Sequence, residues 1–150
     1  MGKAAPHVPP VNDRFGYLLK HARERLSTLS AVALEPLGVN GRELAVMTVL
    51  VQGEPPSQLE AAQRLSIDRT TMVALLDELE AKGLVERRAD TADRRRNIVD
   101  LTARGHQTLV DGIRATDDAE RRFLAPLSAA DRSRLRAMLQ AVIVAEERAG

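Results

Sequence analysis

Apolar positions recur every three to four residues over most of this chain, and the period breaks in one place. Over residues 12–37, Phe15, Leu18, Leu19, Ala22, Leu26, Leu29 and Ala33 fall on one stripe. That spacing predicts a long amphipathic helix, closed by Gly38-Val39. Asn40 with Glu43 makes a capping box ahead of a second helix reaching about residue 52. Its Leu44, Val46, Met47, Val49, Leu50 and Val51 are apolar nearly all round, so this helix is expected to be buried. Residues 53–56 read as a turn. Ser57 with Glu60 repeats the capping box and opens a short third helix. After a break over 65–68, where Asp68 or Ser66 can cap, a fourth helix carries Met72, Leu75, Leu76 and Leu79 on one face. It stops at Lys82-Gly83-Leu84, with glycine supplying the left-handed residue and leucine the hydrophobic contact.

The period then drops to two. Residues 84–89 and 97–102 predict short strands, with Val99 and Leu101 alternating against polar neighbours across the loop 90–96. Helical spacing returns after Thr102, which can cap a fifth helix to about residue 125 bearing Leu109, Ile113, Phe123 and Leu124. Pro126 interrupts it, and Ser128 with Asp131 starts a last helix carrying Leu135, Met138, Leu139, Val142 and Ile143. The fold class is mostly α (α+β). Helix, turn, helix and then a hairpin with an arginine-rich tip is a winged helix-turn-helix. Such a module lays its second helix in the DNA major groove, while the tip reaches backbone or minor groove.

Four spaced elements sit in order between Pro55 and Gly105: the turn 65–71, the run Leu79-Glu80-Ala81-Lys82-Gly83-Leu84-Val85-Glu86-Arg87, the wing Asp90…Asp93-Arg94-Arg95, and Val99-Asp100-Leu101-Thr102-Ala103-Arg104-Gly105. Together they resemble the MarR family of bacterial transcriptional regulators, and the flanking helices extend the resemblance to nearly the whole chain. The resemblance implies a sequence-specific DNA-binding regulator that is not an enzyme: a homodimeric repressor released by a small ligand such as an aromatic acid or phenol. It implies one domain over 12–150, with 40–101 as the DNA-binding portion and 12–38 and 102–148 as dimerisation helices. Residues 1–11, with Pro6, Pro9, Pro10 and no periodicity, read as a flexible or extended arm, with an arm that wraps a partner subunit as the alternative. The expected partners are a second copy and double-stranded DNA with a pseudo-palindromic operator, since a two-fold dimer presents two recognition helices about one DNA turn apart.

Composition narrows the chemistry. A chain of 150 residues is one ordinary domain, and with three aromatics (Phe15, Tyr17, Phe123) its core must be Leu, Val, Ile, Ala and Met. The absence of cysteine removes disulfides and thiolate metal sites. His7, His21 and His106 are far apart, so neither a metal site nor a cofactor is expected. No nucleophile elbow, P-loop or dinucleotide-binding glycine motif occurs. Residues 1–10 carry no apolar signal region and no run is long enough to span a bilayer, so a cytoplasmic location is expected. Net charge is only +1, and residues 57–104 hold nine basic against nine acidic side chains. Placement, not total, must carry the electrostatics of DNA binding.

The candidate DNA contacts are Ser57, Gln58, Arg69, Thr70, Thr71, Arg94, Arg95 and Arg96. Arg94 and Arg95 repel each other at a hairpin tip, which an anionic partner relieves; the alternative is a solvated turn paired locally with Asp90 and Asp93. The resemblance implies that one of them enters the minor groove while Asp93 helps to hold the tip. Ser57 and Gln58 open a helix, whose N-terminus suits phosphate, although Ser57 can equally be only a cap. The first turn of the fourth helix, from Asp68 through Thr71 and on to Val73, Ala74 and Asp77, is expected to face the groove. Many family members place Ser or Thr and then Arg where this chain has Val73 and Ala74. Base readout is therefore expected to be thin, leaving more to the wing and DNA shape. Arg64 and Arg87 have two open readings, phosphate contact or intrachain ion pairing. Tyr17, His21 and Arg25, at i, i+4 and i+8, share one helix face and are the candidate ligand-binding residues, with an ordinary polar helix edge as the alternative. A winged-helix interaction module without DNA binding is the rival reading, supported by the near-neutral charge.

Overall fold

A computed structural model describes residues 8–147. Six helices and one hairpin follow in order: α1 (Phe15–Leu34), α2 (Gly41–Leu50), α3 (Gln58–Leu65), α4 (Arg69–Ala81), β1 (Val85–Ala89), β2 (Asn97–Leu101), α5 (Ala103–Phe123) and α6 (Ala129–Glu147). The fold is mostly helical with a two-stranded wing, as the periodicities predict. Most of the expected arm, residues 1–7 of 1–11, lies outside the described residues.

Three boundaries differ from expectation. The first helix is shorter than 12–37: a 3-10 turn at Val11–Asp13 precedes it, and Pro36 tightens its far end into a second 3-10 turn, Glu35–Leu37. The second helix ends at Leu50, so Val51 lies in the turn and is exposed rather than buried. The turn over 53–56 also has a second job. Val99 N–H donates to the Pro56 carbonyl at 3.2 Å and Ser57 bridges Ile98, adding one rung beside β2. Two consecutive prolines force the extended backbone that makes this rung possible.

The caps form as read. Both boxes are reciprocal, Asn40 with Glu43 and Ser57 with Glu60. Asp68, not Ser66, caps α4, while Ser66 takes the left-handed position that ends α3. At the end of α4, Gly83 (φ 72°) occupies the left-handed position with Gly83 N–H on the Glu80 carbonyl and Leu84 N–H on that of Leu79. Strand pairing runs in antiparallel register from Val85 opposite Leu101 to Ala89 opposite Asn97.

One core joins the winged module to the long helices. Leu34, Val46, Met47, Leu50, Met72, Leu76, Leu79 and Val99 are fully enclosed, so α1, α2, α4 and the wing meet in a single cluster. Where the wing passes into α5 the backbones nearly touch: a Cβ on Gly105 would lie 2.0 Å from the Leu84 carbonyl oxygen. Thr102 locks the same junction, its N–H donating to that carbonyl and its hydroxyl to the Gly83 carbonyl.

Among the described residues the core holds one buried charge. Glu43 is 0% exposed. Its carboxylate accepts from the Asn40 N–H at 2.9 Å and from Lys82 Nζ at 2.7 Å, and Lys82 also donates to the Gly38 carbonyl. A residue that reads in the sequence as a helix cap is thus also the strut between the start of α2 and the end of α4.

Outside this core the helices are bare. Every side chain from Phe15 to Arg25 is exposed. From Ala129 to Val144 only Arg132 and Leu135 are partly covered. Phe15, Leu18 and Leu19 of α1 and Met138, Leu139, Val142 and Ile143 of α6 face outward. Among the described residues no helix is long and apolar enough to cross a membrane.

Candidate nucleic-acid interface

The N-termini of α3 and α4 and the wing tip open onto one concavity of about 430 Å3, lined by Ser57, Gln58, Leu59, Arg69, Asp93, Arg95, Arg96 and Asn97. Five of the eight candidate DNA contacts therefore meet at one place. The rung between Pro56–Ser57 and β2 is what brings them together, because it draws the start of α3 against the base of the wing. The start of α3 and the first residue of α4 share this hollow with Arg95 and Arg96, and Asp93 is the carboxylate on its wall, so arginines outnumber acids there.

The wing shows how a neutral module presents positive charge. Asp90 Oδ1 accepts from the Ala92 N–H at 2.9 Å, and Asp93 Oδ1 from the Arg95 N–H at 3.0 Å. Asp90 N–H donates to the Arg96 carbonyl, and Arg96 N–H to that of Asp93, closing the loop. Both aspartates thus serve the wing backbone and neither pairs with a guanidinium. Arg94 and Arg95 are exposed, and neither side chain has a carboxylate partner among the described residues. The aspartates do pair locally, as the solvated-turn alternative expects, but with backbone N–H groups, which leaves both guanidinium groups in solvent.

Other acids are also engaged. Arg87 bridges Asp77, at 2.6 Å, and Glu80, which answers the open question about that arginine in favour of ion pairing. Arg64 finds a backbone partner instead, the Gln52 carbonyl at 2.9 Å. Arg96 pairs with Glu60, so it lines the concavity with its charge already answered. The Ser57 backbone N–H, followed by Arg96, holds the Glu60 carboxyl below its ordinary value. Asp68 is likewise held low, first by the Thr71 hydroxyl, which donates to it at 2.6 Å, and then by the Thr71 N–H.

That last contact moves Thr71. Its hydroxyl is spent on the cap, and the residue lines a different hollow, against Arg42, Ala45 and Leu65 of the neighbouring helices. Asp68 is exposed, but both of its carboxylate oxygens accept from Thr71. Thr70 is exposed, with its hydroxyl unbonded among the described residues. Ser57 is a cap, its Oγ accepting from the Glu60 N–H at 3.3 Å, but it remains on the wall of the concavity.

The candidate ligand residues lie far along α1. Tyr17 and His21 rings sit 4.1 Å apart between centroids, tilted by 48°, and His21 Nδ1 is 3.3 Å from Glu24. Arg25 has no polar partner among the described residues. All three are exposed, so a single chain does not enclose them.

Comparison with known proteins places this geometry. The sequence model described as the MarR family matches residues 37–96. The HTH-type transcriptional repressor NicR of Pseudomonas putida is 27% identical over 141 residues, 93% of this chain and 89% of that protein. The HTH-type transcriptional repressor Rv2887 of Mycobacterium tuberculosis is 31% identical over 125 residues, 83% of this chain and 90% of the relative. A solved structure of the same Rv2887, in complex with salicylic acid, superposes with a TM-score of 0.71 over 88% of this chain and 98% of that one. The transcriptional repressor CouR bound to a 23-mer DNA duplex superposes with a TM-score of 0.81 at 28% identity, covering 92% of this chain and 99% of the other.

Proposed function

The chain belongs to the MarR family of DNA-binding transcriptional regulators, and from that premise we propose that it is a homodimeric repressor which grips its operator through the concavity and wing and lets go when a small aromatic acid binds. The observation that carries the DNA half of this reading is the wing tip. Arg94 and Arg95 stand without carboxylate partners while every nearby aspartate is committed to backbone. With Arg69, and with the N-terminal donors of α3 and α4, they give a phosphate-facing surface on a module of balanced charge. Arg96 joins by exchanging Glu60 for phosphate, an exposed pair that costs little to break. CouR bound to a DNA duplex supports the same use of the fold.

The dimer half rests on the bare helices. Phe15 is 84% exposed and Val142 69%, and the apolar residues around them form continuous stripes on α1 and α6. Monomeric proteins rarely leave such patches in water. A two-fold pair that covers them fits the boundaries read from sequence, with 12–38 and 102–148 as dimerisation helices and 40–101 as the DNA-binding portion. Salicylic acid in the Rv2887 complex supports an aromatic carboxylate as effector class. For its seat we propose the Tyr17–His21–Arg25 face, closed by the partner subunit.

Fluorescence anisotropy with DNA from upstream of the protein's own gene, over a salt series, tests the core of this. Wild type should bind tightly, with log K falling linearly in log salt by about 0.9 per phosphate contact. Arg94→Ala/Arg95→Ala should lose much of the affinity and flatten the slope by about two contacts for each wing pair. If genomic DNA selection recovers no bound sequence, the module is instead a protein-interaction domain.

A further inference from the structure

We infer that the outward face of α4 reads thymine methyl groups, so that each operator half-site is recognised by apolar contact rather than by arginine-to-guanine bonds. This rests on the regulator reading above.

The buried stripe of α4 is Met72, Leu76 and Leu79, all fully enclosed. At 100° per residue, the opposite face holds Thr70, Ala74 and Asp77, with Val73 half-covered on its flank. A recognition helix offers its N-terminal part to base edges. There the options for polar readout are few. The side chains that form paired bonds to purines are Arg or Lys with guanine and Asn or Gln with adenine. Among these, only Arg69 occurs between Arg69 and Ala81. Arg69 lies on the concavity side, beside Ser57 and the wing, in the company of the phosphate-facing groups. Two acids are exposed on this side: Asp77, which Arg87 holds at 2.6 Å, and Glu78, which lies beyond the N-terminal part of the helix that meets base edges.

What remains is carbon. The Thr70 methyl, the Val73 methyls and Ala74 Cβ sit at i, i+3 and i+4, neighbours on one helix surface about 5–6 Å apart. A small apolar patch in the major groove has one good partner, the C5-methyl of thymine. Thr70 adds a hydroxyl with no intrachain partner among the described residues, free to hold a phosphate or base edge at the rim of the patch.

The test deletes those methyls one at a time. Operator duplexes are selected from randomised DNA with the full chain. Each thymine in a half-site is then replaced by deoxyuridine, and affinity is measured at fixed salt. At least two thymines per half-site should each lose roughly fourfold, the worth of one buried methyl. Thr70→Ser, which removes only a methyl, and Val73→Ala should each abolish the penalty of one particular uridine, as expected for coupled partners. The scan on the unmutated protein stands whether or not the Val73→Ala variant is fully stable. Two results overturn the inference: selective binding that no uridine disturbs, or selective binding whose main loss follows replacement of guanine by 7-deazaguanine. Failure to select any sequence overturns the regulator reading itself, and it differs visibly from both because no duplex is then bound.

Discussion

The recognition helix and the last helix are both amphipathic, and their fates in the fold are opposite. On α4 the stripe Met72, Leu76 and Leu79 vanishes into a core shared with α2, α1 and the wing. On α6 the stripe Met138, Leu139, Val142 and Ile143 points at solvent, and the helix is held chiefly at its start. There Arg136 pairs with Glu120, and Leu135 lines a groove with Leu26, Phe123 and Leu124. A hydrophobic period says that a face must be covered and not what covers it. The winged module supplies its own cover. The outer helices have no such cover within the described residues, and in the proposed dimer a second copy supplies it, which makes the distance between two recognition helices a property of the pair.

The sharpest way to break that contrast is to charge the bare face and leave the module alone. Val142→Glu/Ile143→Glu should convert the proposed dimer to a monomer in sedimentation analysis, with helical content retained. Affinity for a two-half-site operator should fall by at least about 100-fold, because two tethered heads become independent ones. The same variant should bind a single half-site as the wild type does. A fully dimeric double mutant would show that α6 is not the cover, and the partner surface would then have to be sought along α1.

Within the module the largest effect should come from its one buried charge. Lys82→Met leaves the Glu43 carboxylate with only the Asn40 N–H. The expected loss is about 3 kcal/mol, the low end for a broken buried pair, since Lys82 itself is 39% exposed. Adding Glu43→Gln removes the stranded charge and should restore a good part of the loss in denaturant titration. If the single and double variants are equally unstable, Lys82 acts through its bond to the Gly38 carbonyl and not through charge.

How much of this the sequence reveals depends on the range of each interaction. Asn40, Ser57, Asp68 and Thr102 act within three residues of themselves, so the caps and most helix limits were readable from spacing alone. The drop to a period of two marks the wing, and the order of the elements around it carries the family resemblance. Long-range partners were not readable. Glu43 meets Lys82 across 39 residues, and Arg96 meets Glu60 across 36. Neither pair has a periodic signature. The rung from Pro56 to Val99 likewise leaves no periodic signal, and the double proline, which favours extended backbone, is its one local trace. At the candidate interface, residue types pointed to anion binding. Only the structure separates Arg94 and Arg95, whose guanidinium groups meet no carboxylate among the described residues, from Arg87 and Arg96, already paired, or shows Thr71 spent on a cap.

The mildest test concerns two of those caps, at Glu60 and Asp68, which lie in the module's half of the comparison and give it a pH dependence. Glu60 and Asp68 both titrate below their ordinary values of 4.5 and 3.8 in the folded chain, because each accepts backbone and side-chain hydrogen bonds as a carboxylate. A depressed folded value means the unfolded chain takes up its proton first on acidification. The stabilisation is therefore complete above the ordinary values and is lost as pH falls through the folded ones. Thermal melts should be flat near neutrality and decline below about pH 4.5, beginning with Glu60. Asp68→Asn keeps an acceptor for the Thr71 N–H but removes the charge, and should soften the acid limb without abolishing it. Glu60→Gln should soften it further, because it also releases Arg96. At neutral pH that release adds a free guanidinium to the concavity, so the same substitution should slightly strengthen DNA binding while weakening the fold. A Glu60→Gln protein with lower stability and unchanged affinity would mean that Arg96 contributes nothing to the interface.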